Sequence, residues 1–169
     1  MIEIIPNYHP IFVHFPLALT AVSTLCFVLG MFLKRFDVSN ELFITSKWCL
    51  WLGGLLAIFT ALTGWFAYNS VQHNSELAHQ AMTLHRNIAL PTAGLMILGA
   101  AVSYLCREKW GKIGNPFVAI GLTVLLVLVS IVGFLGVEVV YRHGVGVMPQ
   151  PVTSTPHHHH GSSEAGHPH

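Results

Sequence analysis

Four apolar runs, each about twenty residues or longer, dictate what this chain can fold into. They cover roughly residues 11–33, 48–68, 76–106 and 116–141. About twenty apolar residues is the length at which an α-helix crosses the hydrocarbon of a bilayer. In that medium every backbone N–H and C=O must be satisfied within the protein, and a long uninterrupted run does this as a helix. Composition agrees: of 169 residues, 53% are hydrophobic and 9% are charged, against roughly 25% charged in soluble domains. The expected fold is all-α, an integral membrane four-helix up-down bundle with short loops over residues 1–147. Residues 148–169 are mostly Pro, Ser, Thr, Gly and His, a composition that buries no core and is expected to form a disordered tail. The lipid bilayer is thus the first partner, and a formal net charge of +1 offers nucleic acid no basic surface.

Local signals divide the chain further. Pro16 is tolerated if it lies in the first helical turn, where a missing N–H costs little. Residues 39–47 read as a polar connection. In the second run Gly53, Ala57, Thr60 and Gly64 share one helical face, which lets helices approach closely and leaves room for a flat cofactor. Asn74 or Ser75 is the expected N-cap of the third helix, and Pro91 is expected to kink it. Gly144 and Gly146 stop the fourth. The first six residues lack a basic segment and a small-residue cleavage site, so the first span itself is expected to carry targeting. Lys34, Arg35, Lys47, Arg107, Lys109 and Lys112 flank one side of the membrane, and only Arg86 and Arg142 flank the other. By the positive-inside rule the lysine-rich side is cytoplasmic. Both termini then face outward, to the periplasm of a bacterial inner membrane.

Histidine is the functional signal. His9 and His14 open the first span, His79 and His85 lie on the third, and His143 ends the fourth, so all fall at the outer end of one bundle, with His73 in the outer loop. Counting about 1.5 Å per residue from the inner ends places His14 and His85 at a common depth, with His9, His79 and His143 roughly 7–9 Å further out. The faces of His14 (Ala18, Ala21, Leu25), His85 (Ala89, Thr92, Met96) and His143 (Gly136, Gly133) are small. Ionisable groups at membrane depth are costly and mark functional sites.

Imidazole ligates metals and can hold haem iron axially. Two histidines on diagonal helices, His14 and His85, could grip a haem b. Arg86 and Arg142 would then lie near its propionates, with Tyr141 and Trp65 in hydrogen-bonding reach. Such a protein would carry electrons to or from a quinone or a periplasmic cytochrome. The alternative is a porphyrin-free site in which His9, His14, His85 and His143 converge on copper, zinc or iron. A third class is a membrane assembly module without cofactor. Spacings of five (His9 to His14) and six (His79 to His85) do not give the same-face geometry of an HExxH zinc site. Cys26, Cys49 and Cys106 lie scattered in apolar runs, form no CxxC or CxxCH, and read as small buried hydrophobes. Glu138 precedes Arg142 by four residues and reads as an ordinary helical ion pair or a proton acceptor. No nucleophile–base or paired-carboxylate spacing is present, so a redox carrier or metal-binding subunit fits better than a stand-alone catalyst. The tail holds six of the twelve histidines, a tract that binds borderline divalent metals or is an expression tag.

The segments HPIFVHFPLAL at the start, His85, and GFLGVEVVYRHGVGV at the end resemble a bacterial family of membrane proteins known as domain-of-unknown-function family 2231. The resemblance spans about residues 8–147. It implies the four-helix membrane architecture and picks out His9, His14, His85 and His143, without His73, His79 or the tail. Where this chain has Gly136-Val137, the family usually shows two glycines. No activity comes with the resemblance.

Overall fold

The computed structural model describes residues 8–70, 75–107 and 116–146. Among the described residues four helices make up the fold: α1 (His9–Phe32), α2 (Val38–Ser70), α3 (Glu76–Leu105) and α4 (Pro116–Tyr141). All four are long and apolar enough to cross a membrane, and no strand occurs among the described residues. α1 packs on α2, α2 on α3, α3 on α4 and α4 on α1. The diagonal pairs, α1 with α3 and α2 with α4, make no Cα approach within 8 Å. His73 and the expected tail, residues 148–169, lie outside the described residues.

The interior follows membrane packing rules. Large apolar side chains such as Leu25, Phe66, Leu98 and Phe134 are exposed toward the lipid, while Thr20, Ser23, Ser46, Thr92 and Ser103 are buried. With hydrocarbon outside, nothing drives Leu inward, and small or hydroxylated residues let backbones meet. The Gly54 and Ala100 positions illustrate how close they come: a Cβ on Gly54 would lie 2.5 Å from that of Ala100. Hydroxyls tie the helices together. Ser23 Oγ donates to the Ser46 carbonyl at 2.8 Å, Thr24 Oγ1 reaches the Leu122 carbonyl at 3.2 Å, and Trp51 Nε1–H donates to Ser103 Oγ at 2.8 Å.

Two local expectations are corrected. α1 starts at His9 with Pro10 in its first turn, so Pro16 is internal rather than N-terminal. Its ring removes the N–H that would bond the Phe12 carbonyl, and Thr60 Oγ1 from α2 supplies a donor to that carbonyl at 3.2 Å. Residues 39–47 are helical, not a connection. Ser39, Phe43, Ser46 and Leu50 are buried at spacings of four, three and four. Phe43 lies against Gly30, where a Cβ would come within 3.1 Å of its ring, and Ser39 Oγ donates to the Gly30 carbonyl at 2.8 Å. α3 runs as one helix through Pro91. The helix ends follow the sequence signals: Ser75 caps α3 by accepting from Ala78 N–H at 3.1 Å. Gly144, at φ 61°, closes α4 with its N–H on the Val140 carbonyl at 3.0 Å, a left-handed cap that favours glycine.

Candidate functional site: a histidine pair across the bundle diagonal

α1 begins where the site lies. α2 overruns it from Gly64 to Ser70 and α4 from Gly136 to Tyr141, each by roughly 8–9 Å, while α3 starts about 14 Å further out and reaches it at His85. The His9 and His85 rings meet in this end of the interior with centroids 6.5 Å apart and planes at 76°. They span a diagonal that the helix backbones do not.

Each ring occupies a slot cut by a glycine. A Cβ on Gly64 would lie 2.9 Å from His9 Cε1, and one on Gly136 would lie 3.3 Å from His85 Cε1. The small face Gly53, Ala57, Thr60, Gly64 does point inward as its spacing indicates, but Leu19 lies against Gly53 and the His9 ring against Gly64. His9 Nδ1–H donates to the Thr60 carbonyl at 3.1 Å, with Thr63 Oγ1 at 3.4 Å. That bond fixes the tautomer and puts the ring's lone pair on Nε2. His85 Nδ1 is enclosed and has no hydrogen-bond partner, although the ring lies beside the Val132 backbone of α4. A buried polar atom without a partner costs free energy, and such atoms call for a functional or structural account.

The other residues singled out in the sequence lie elsewhere. His14 does not face His85. It is exposed on the outside of α1, with Nδ1–H donating to the Pro10 carbonyl at 2.7 Å. The physical reason is angular: five residues turn a helix by about 140° past a full revolution, so once His9 points in, His14 points out. Its face, Ala18, Ala21 and Leu25, is correspondingly exposed or half-buried. His9 therefore sits level with His85, where a greater separation in depth was expected. His143 is half-buried at the end of α4, and His79 is exposed with its ring 6.2 Å from Tyr68. The four-histidine set His9, His14, His85 and His143 does not converge, and no group of three or more His, Cys, Asp or Glu placed to hold a metal ion occurs among the described residues. Arg86 stacks on Tyr68 with its guanidinium 4.4 Å from the ring centroid. Arg142 pairs with Glu138 at 2.6 Å. Trp65 and Tyr141 are exposed. Thr60 and Gly136 act directly on the two imidazoles, which their place in the small faces did not reveal. The available signal was Pro16, whose vacated Phe12 carbonyl requires a donor from a neighbouring helix.

Four membrane-length helices around an interior that combines large apolar side chains such as Phe27, Leu50 and Leu122 with buried hydroxyls such as Ser23 and Thr92 define a four-helix integral membrane protein. The chain belongs to the family described as a predicted membrane protein, DUF2231, whose model matches residues 6–149. No curated relative and no solved structure matches the chain.

Proposed function

We propose that this chain is a metal-handling membrane protein that holds one copper ion between His9 and His85. The pairing of those two rings across the bundle diagonal is the observation that carries the reading. An imidazole–metal bond is about 2 Å, so two rings on opposite sides of one ion have centroids roughly 6 Å apart, and the pair stands at 6.5 Å. The Thr60 carbonyl orients His9 as outer-sphere carbonyls orient metal-bound histidines elsewhere. Ligand count supports copper. Structural zinc takes four protein ligands, and calcium and magnesium take oxygen cages. Copper stands at the top of the divalent affinity order and accepts imidazole; in its monovalent state it tolerates two ligands. The lysine and arginine asymmetry supports an outer, periplasmic position for this end of the bundle, from which capture would occur.

A second reading keeps haem b and electron transfer with a quinone or a periplasmic cytochrome. The same ring spacing suits two axial ligands, which favours it. Against it, both glycine slots are filled by imidazole, so the helices would have to part to admit a macrocycle. Elemental analysis and an absorption spectrum of protein purified from copper- and haem-replete cells separate the two. Close to one copper per chain without a Soret band is expected. A Soret band with a pyridine haemochrome would instead establish the second reading, and protein empty of both would remove the two together, leaving an assembly module.

A further inference from the structure

At the opposite end of the bundle, the α2–α3 seam carries a shallow cavity, open to the outside, of about 450 Å³ lined by Trp51, Ala100, Ala101, Tyr104 and Leu105. It is built rather than incidental. The Trp51 indole is held by its bond to Ser103 Oγ, and its ring meets Tyr104 at 5.2 Å and Trp48 at 5.0 Å between centroids. Two small residues, Ala100 and Ala101, are part of the lining. At Ala100 the close approach of Gly54 draws the two helices together. Toward the membrane surface two cations stand over the aromatic walls. Lys47 Nζ is 5.4 Å from the Trp51 ring centroid, and the Arg107 guanidinium is 5.2 Å from that of Tyr104. Neither has a carboxylate partner among the described residues, where the one ion pair is Arg142 with Glu138.

We propose that this cavity binds one anionic phospholipid, with an acyl chain against the apolar walls and the headgroup phosphate between Lys47 and Arg107. An apolar slot, an aromatic collar and a cationic rim follow in that order along the membrane normal. A phospholipid presents the complementary order of chain, glycerol and phosphate. Trp and Tyr favour the headgroup level, and basic pockets between helices on the cytoplasmic side suit anionic headgroups. Lys34 and Arg35, on the connection after α1, lie at the same end of the bundle and mark the leaflet as the lysine-rich one. A fatty acid or a quinone would fill the slot but leave one or both cations without an anion, and free phosphate would leave the apolar walls empty.

Native mass spectrometry of the full chain in detergent, titrated with dioleoyl phosphatidylglycerol, dioleoyl phosphatidylcholine, ubiquinone or inorganic phosphate, tests this. Phosphatidylglycerol should be retained at roughly tenfold lower concentration than phosphatidylcholine, from about one headgroup charge meeting two cations. Lys47→Gln with Arg107→Gln should abolish that preference, and Ala101→Trp, which fills the slot and keeps both cations, should abolish retention. Lys34→Gln with Arg35→Gln should leave both intact. Equal retention of the two lipids would overturn the proposal. So would loss of preference in the variant changed at Lys34 and Arg35 to the same degree, or saturation by ubiquinone or phosphate in place of phosphatidylglycerol. Circular dichroism of each variant confirms that a loss is not unfolding.

Discussion

Thr60 on α2 shares its hydroxyl hydrogen between the Phe12 carbonyl of α1 at 3.2 Å and its own helix's Leu56 carbonyl at 2.9 Å, and Phe12 is the residue whose helical partner Pro16 has removed. One residue thus repairs α1 and, through its carbonyl, aims His9. Thr60→Val keeps the shape and removes the donor. In a Pro16→Ala background the restored N–H can serve Phe12 instead. The valine substitution should cost about 1 kcal/mol in the native background, within the range for interhelical hydrogen bonds in membranes, and clearly less once the proline has been replaced. A double-mutant cycle by denaturant unfolding in detergent measures the coupling. Equal cost in both backgrounds would show that Thr60 does not compensate for the proline.

The glycine slots make a graded prediction. Gly64→Ala brings a methyl within 2.9 Å of the His9 ring, Gly136→Ala within 3.3 Å of the His85 ring, and Gly121→Ala meets nothing within 4 Å. Copper affinity should fall most for Gly64→Ala, on the order of tenfold or more since a misplaced ligand-shell group costs that much. It should fall less for Gly136→Ala and not at all for Gly121→Ala. Competition titration with a copper chelator gives the order, and a flat series would remove the pair as the site.

Ionic pairing at Glu138 predicts little. The pair with Arg142 is an i, i+4 contact whose arginine is 73% exposed, and such pairs contribute about 0.3–0.5 kcal/mol. Glu138→Gln should therefore lower stability by no more than that and leave copper binding unchanged. A large loss of binding would instead make the carboxylate a proton acceptor for the site.

Much of the fold was legible because membrane helices carry strong signals. Run length gave four spans, and the small face of α2, the Ser75 cap and the glycine stop after α4 all stand as the residues indicate. The beginning of α2 was missed because hydropathy treats Ser39 and Ser46 as loop residues, whereas inside a bundle they are the packing face. For the site, counting depth back from the inner ends led to His14 because depth alone does not say which side of the helix a residue faces. Rotation was the better guide. His9 and His14 cannot face the same way, and the buried hydroxyl stripe of Thr20, Ser23 and Thr24 shows which way α1 faces. Read back along that stripe, the inward position in the first turn is His9. The reach of His9 to a diagonal helix could not be read from the sequence, because it depends on how far α2, α3 and α4 overhang the start of α1.

That difference yields the sharpest prediction. His9→Ala and His85→Ala each remove one of two ligands and should each reduce copper retention to background. His14→Ala removes a ring that lies outside the bundle and bonds only its own helix, so retention should stay within about twofold of the unmodified chain, as expected for a surface change. The pH dependence has a fixed sign. Copper requires both imidazoles without the competing proton, and binding releases whatever protons they carry. Affinity should therefore decline as pH falls, in the unmodified chain and in His14→Ala alike. Metal retention after desalting, at pH 7.5 and pH 5.5 for the three variants, reads both effects. If His14→Ala empties the protein while His9→Ala does not, the working pair is His14 with His85, and α1 must rotate on loading to bring His14 inward.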